Sequence, residues 1–251
     1  MTFPRSLSLV SGLLFCASLI HAQLRATNVT TITPTFTTID VPGAMQTVVT
    51  GINSAGEMVG WYSTSDSGPY HSFSLSGGVF TFFDYPGAAS TIANGINDSG
   101  LIVGIEGDSF SIFDKGFLYD GLTFTSLKVG ANSRTFLWGV DNAGDLAGGA
   151  GTANATRAFV KQGGSLKALN FPGPYVYSYA TGFNNLGQIV GWTSEGSTGE
   201  SYLYENGKFK KIDVAGGRVA HAFDSFSLPV SRLWVPRPCV FARAGTMLPI
   251  R

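Results

Sequence analysis

Four acidic residues of this 251-residue chain, Glu106, Asp108, Glu195 and Glu200, fall in segments whose sequences share little with one another. Two carboxylates a few ångströms apart are what glycoside hydrolysis needs, one as acid and one as base or nucleophile. These four are predicted to lie on loops, where solvated charge is the competing reading. An aromatic group, Tyr175, Tyr177 and Tyr179, follows Pro172 and Pro174. Tyrosine rings there could stack on sugar or anchor a protein partner, and the alternation equally fits one packed face of a strand. Nucleophilic catalysis has little material, because beyond the first 22 residues only His71 and His221 remain to serve a Ser-His-Asp or Cys-His arrangement. Asp98-Ser99-Gly100 and Asp141-Asn142-Ala143-Gly144-Asp145 bring oxygen ligands to tight loops, without the alternating acids and distal glutamate of a calcium loop. Asx turns account for both. No metal and no cofactor is expected.

The elements that position these groups follow from a repeat. Gly-φ-Asn, then Gly, then Gly (φ here an apolar residue) recurs from Gly51, Gly95, Gly139 and Gly182, at intervals of 44, 44 and 43 residues. Asp-φ-Pro-Gly keeps the same beat at Asp40, at Asp84, as a degenerate Lys128-Val129-Gly130, at Asn170 and at Asp213. Two markers in phase identify a tandem array.

Within one unit, Thr47–Ile52 is β-branched, Asn53–Gly56 supplies turn formers, and Glu57–Tyr62 is apolar again; this is a hairpin signature. Tyr70–Leu75 alternates, Ser76–Gly78 turns, and Val79–Asp84 forms a fourth strand before Pro86 stops the ladder. Four short strands in 44 residues predict an all-β chain of tandem four-stranded blade-like repeats, a β-propeller or a truncated one. A parallel β-helix, with shorter coils, is the runner-up. Third strands are predicted at 116–119, 158–161 and 202–204. Up-and-down order puts the Asn…Gly turns on one face. On the other lie the unlike segments 63–69, 106–111, 149–156 and 194–200, where a repeat scaffold places its binding surface.

These elements resemble the HAF repeat family of extracellular bacterial proteins, named for a His-Ala-Phe-like triplet. The triplet position is read as His71-Ser72-Phe73, Lys115-Gly116-Phe117, Arg157-Ala158-Phe159 and Ser201-Tyr202-Leu203, and the match covers about residues 35–217. The resemblance implies an extracellular location and transfers no catalytic residues.

Composition narrows the classes further. Forty-four per cent hydrophobic residues against 13% charged argues for a packed core. Zero formal net charge leaves nucleic-acid binding without its usual electrostatic source. Residues 1–22 read as a signal peptide, with Arg5, an apolar stretch Leu7–Ile20 too interrupted for a span, and Ala22 at the cleavage point. The mature chain is thus expected to be secreted or periplasmic, to have no membrane span, and to keep one cysteine, Cys239. Residues 218–251 hold five arginines against four in the preceding 217. That shift suggests an altered reading frame, a truncated repeat or an atypical capping tail. Phe36–Asp40 has the register of a fourth strand and could close the last blade. The expected function is a non-catalytic extracellular module, binding a glycan or protein or building a surface structure. The alternative is a carbohydrate-active propeller using loop carboxylates.

Overall fold

The computed structural model describes residues 36–108, 114–131, 133–195 and 198–212. Residues 1–22, Asp213 and the segment 218–251, with its His221-Ala222-Phe223, lie outside them. Among the described residues, 36–38 belong to a different compact unit from 39–212. Phe36–Asp40 carries no strand, so the expected closing strand is not formed there.

Sixteen strands and no helix make up the described chain, in four antiparallel blades of four strands. Blade one is β1 (Gln46–Ile52), β2 (Met58–Ser63), β3 (His71–Ser76) and β4 (Val79–Phe83). Blade two is β5 (Ser90–Ile96), β6 (Ile102–Gly107), β7 (Lys115–Tyr119) and β8 (Phe124–Leu127). Blade three is β9 (Arg134–Val140), β10 (Leu146–Thr152), β11 (Ala155–Gln162) and β12 (Ser165–Leu169). Blade four is β13 (Tyr177–Phe183), β14 (Ile189–Glu195), β15 (Thr198–Glu205) and β16 (Lys208–Ile212). Each strand pairs with its sequence neighbour inside the blade. One parallel bridge, Thr156 to Tyr177, ties blades three and four into a continuous sheet.

The core is built between blades. Val59 and Phe83 of blade one meet Ala93, Ile96, Ile102 and Phe117 of blade two. Val103 meets Leu137, Val140, Leu146 and Phe159, and Ala147, Val160 and Leu169 meet Ala180, Phe183 and Ile189. Close packing inside each blade explains the third glycine of the repeat. A Cβ on Gly60, Gly104, Gly148 or Gly191 would stand 2.1, 2.2, 2.0 or 2.0 Å from the carbonyl oxygen of Val48, Ile92, Phe136 or Tyr179 on the inner strand. The same Cβ would strike the aromatic ring of the third strand, Phe73, Phe117, Phe159 or Tyr202.

That ring defines the triplet. Gly60, Gly104, Gly148 and Gly191 pair with Phe73, Phe117, Phe159 and Tyr202, so the fourth triplet is Glu200-Ser201-Tyr202, one residue earlier than the sequence reading. The first position is a polar edge: His71 Nδ1 meets Asp84 Oδ2 at 2.7 Å, Lys115 meets Glu106, Arg157 bonds the Tyr175 and Val176 carbonyls, and Glu200 meets Lys211. The middle position is small because the next inner strand lies against it. Ser72 Oγ accepts from Ala93 N–H and donates to Thr91 O, and a Cβ on Gly116 would stand 2.7 Å from Leu137.

Candidate functional site

The face carrying the Asn…Gly turns is a hydrogen-bond ladder from blade to blade. Asn53 Oδ1 accepts the N–H groups of Ala55 and Glu57, Asn97 those of Ser99 and Leu101, Asp141 those of Ala143 and Asp145, and Asn184 those of Leu186 and Gln188. These are Asx turns closed by glycines at φ of +80°, +81°, +79° and +75°. The spare amide reaches one blade on: Asn53 Nδ2 donates to Asn97 O at 3.3 Å, and Asn97 Nδ2 to Asp141 O at 2.8 Å. Alongside, Ser54 N–H, Asp98 N–H and Asn142 N–H donate to the side chains of Asp98, Asn142 and Asn185. Asp98 therefore holds blades together, and its carboxyl is lowered by the Ser54 and Asn142 donors.

Asp141 breaks the ladder chemically, since a carboxylate has no N–H to pass forward. Burial raises its carboxyl above the ordinary range, against the backbone N–H bonds that pull the other way.

Beside the ladder, each inner strand bulges at one residue: Thr50, Asn94, Trp138 and Thr181. Thr50 Oγ1 donates to Ala93 O at 2.7 Å and Asn94 Nδ2 to Leu137 O at 2.7 Å. Trp138 departs from that pattern, with its indole Nε1 buried and unpartnered among the described residues. Nothing in the sequence marks a bulge except the position, one residue before the Gly-φ-Asn motif.

On the opposite face the carboxylates do not sit as expected. Glu106 lies inside β6 rather than on a loop, 1% exposed, paired across the ladder with Lys115 at 3.0 Å. Its carboxylate raises Lys115. Glu195 ends β14 and Glu200 lies within β15, because this connection is a tight hairpin, as is the one at 149–156. Glu200 bonds Lys211 at 2.8 Å and is lowered first by that lysine and then by the Tyr175 hydroxyl. Asp108 alone of the four follows a strand into a loop, and it is exposed. Glu106 and Glu200 are thus held on different blades, each by a lysine of its own blade.

The tyrosines are anchored rather than splayed. Tyr175 packs edge-on against Phe171, with ring centroids 5.4 Å apart. Tyr177 donates its hydroxyl to Ala153 O at 2.9 Å. Tyr179 stacks on Trp192 at 4.8 Å and meets Phe136 at 5.9 Å. All three are half-buried, which fits the strand-face reading for Tyr177 and Tyr179.

An Asp at the head of a Pro-Gly turn is placed to cap that turn. Asp84 instead reaches across to β3, accepting from Ser72 N–H and meeting His71. Threonines on the next inner strand do the capping: Thr47, Thr91 and Thr135 accept the N–H groups of Val41, Tyr85 and Val129. Their 44-residue spacing is the signal the sequence reading passed over.

One cleft of about 330 Å³ opens on this face, lined by Asp114, Lys128, Ala131, Ser133, Arg134, Thr152 and Ala153. It lies where the β6–β7 connection, the β8–β9 connection and the β10–β11 turn converge. Arg134 Nε stands 3.7 Å from Asp114 Oδ1. Sequence reasoning placed Thr152 and Ala153 in the variable segment 149–156, noted Lys128 only as a degenerate turn residue, and singled out none of the others.

No family model matches the chain, and no curated protein is similar to it. Among solved structures, the chain is similar to an acylaminoacyl peptidase from Pyrococcus horikoshii, at 14% identity and a TM-score of 0.44. The likeness covers 63% of this chain and 26% of that one, so the chain spans about a quarter of the peptidase's length.

Proposed function

We propose that this chain is a secreted, non-catalytic repeat protein of the HAF kind, an extracellular module that binds a glycan or protein through the face opposite the Asn ladder. The observation that carries this reading is the contrast between the two faces. One carries the same Asx turn in every blade, linked from blade one to blade three by the same amide bond. The other is built from connections of different length and sequence, and the polar cleft lies there. A scaffold that repeats where it holds together and varies where it meets solvent is suited to recognition. Glu106 and Glu200, each committed to a lysine, are poorly disposed to act together as the acid and base of a glycosidase.

The test is a screen of the full chain against immobilised polysaccharides and surface proteins, with glycoside hydrolysis measured in parallel. Saturable binding without turnover is expected. Turnover that is lost in Glu200→Gln would replace this reading with the carbohydrate-active enzyme.

A further inference from the structure

From the cleft between blades two and three, we infer a subsite for the carboxylate of an acidic sugar, held between Lys128 and Arg134. This rests on the binding-module reading and names its ligand class. Both cations stand where the two preceding repeats carry other residues. Lys128 stands where the two preceding repeats carry Asp40 and Asp84, so an acid is exchanged for a base. Arg134 opens β9 at the position where Gln46 and Ser90 open β1 and β5. One departure from the repeat and one variable position, six residues apart, each place a cation in the same cleft.

The remaining lining suits a sugar unit rather than a peptide side chain. Ala131 and Ala153 are the apolar contributors, and Asp114, Ser133 and Thr152 complete the wall. Thr152 Oγ1 accepts from Asn154 N–H and keeps its own proton to donate. Ser133 turns its hydroxyl proton toward the Val129 and Gly130 carbonyls, which leaves its oxygen as an acceptor. Hydroxyl donors and acceptors beside a cation pair match the ring hydroxyls and the carboxylate of a uronic acid. The volume lies at the small end of ligand-sized pockets, enough for one or two sugar units. Asp114 holds Arg134 at 3.7 Å, longer than a charge-assisted hydrogen bond, so an incoming carboxylate competes with a loose partner.

The experiment is calorimetric titration of the full chain with galacturonate oligomers, cello-oligosaccharides and oligoglutamate, with thermal melts to verify folding of each variant. Galacturonate binding should weaken roughly tenfold in Lys128→Gln and in Arg134→Gln, as expected for loss of a charged hydrogen bond. It should recover in part in Arg134→Lys, tighten in Asp114→Asn, which removes the competing carboxylate, and stay unchanged in Lys208→Gln on β16. Galacturonate binding that ignores Lys128, Arg134 and Asp114 overturns the inference, as does preference for oligoglutamate. Binding only of neutral glycans or a protein overturns it while leaving the module reading intact. If no ligand of any class binds, both fall.

Discussion

Replacing Asp141 by Asn should make the protein more stable at neutral pH, because it restores the step missing from the blade-to-blade ladder. Asn97 accepts Gly100 N–H on its backbone oxygen and takes Asn53 Nδ2 on the same atom. Asn184 O accepts Gly187 N–H in the same way, and it holds the repeat position of Asn97 O and Asp141 O, which take the two amide bonds before it. One such bond is worth about 0.5–1.5 kcal/mol net. The exchange also removes a carboxylate whose burial raises its pKa. That direction shows burial outweighing the two backbone N–H bonds to Oδ1, and asparagine retains an oxygen for both.

A gain of about 1 kcal/mol corresponds to a rise in Tm of roughly 2–4 °C in a domain of this size. The pH dependence carries the sharper check. A carboxyl raised in the folded state favours folding when protonated, so wild type loses stability as pH climbs from the unfolded value through the folded one. The advantage of Asp141→Asn should be full at pH 7 and shrink as pH falls toward about 4. Thermal melts of both proteins from pH 4 to pH 8 measure this. A variant no more stable than wild type at pH 7, or an advantage that does not diminish in acid, refutes the reasoning.

Lys115→Met leaves Glu106 buried without its cation and should cost roughly 3 kcal/mol. Adding Glu106→Gln should return much of that in a double-mutant cycle read by urea unfolding. Gly104→Ala drives a Cβ to 2.2 Å from Ile92 O and 2.6 Å from the Phe117 ring and should prevent cooperative folding. Gly56→Ala meets open space at φ +80° and should cost only about 1 kcal/mol of backbone strain. Glu200 should titrate higher in Lys211→Gln, since that lysine is the main cause of its lowered carboxyl; carboxyl NMR reads the shift. Residues 1–22 fused to a reporter should direct its export with cleavage after Ala22, checked by N-terminal sequencing of the secreted product.

The blades were legible because their signals are local. A β-branched run, an Asn-x-x-Gly turn and a second apolar run specify a hairpin without reference to anything distant; the third strands predicted at 116–119, 158–161 and 202–204 lie within the observed ones, and the one at Tyr70–Leu75 is offset by one residue from His71–Ser76. What stayed hidden acts across 43 or 44 residues. Asn53 reads as a turn residue, and its second role as donor to Asn97 O needs the neighbouring blade in place. Glu106 reads as a loop acid because only β7 supplies the Lys115 that allows it to be buried in β6. The triplet slipped by one at Ser201 because its register is set by Gly191 facing Tyr202.

The same reasoning explains why the candidate site is found by departures from the repeat rather than by residue type. At the ladder, side chains at equal repeat positions make equal bonds, so their identity answers to the next blade. Thr47, Thr91 and Thr135 show the constraint: each accepts one N–H of the turn preceding its own strand. Lys128 sits in one of those turns, and Val129 beside it still gives its N–H to Thr135. The backbone there keeps the repeat's bond while the side chain abandons the repeat's charge. A change that leaves the fold's own hydrogen bond intact and reverses the sign of an exposed group alters what the surface can attract, and Arg134 adds to it from the start of β9. Neither cation is part of the buried core, and both line the cleft.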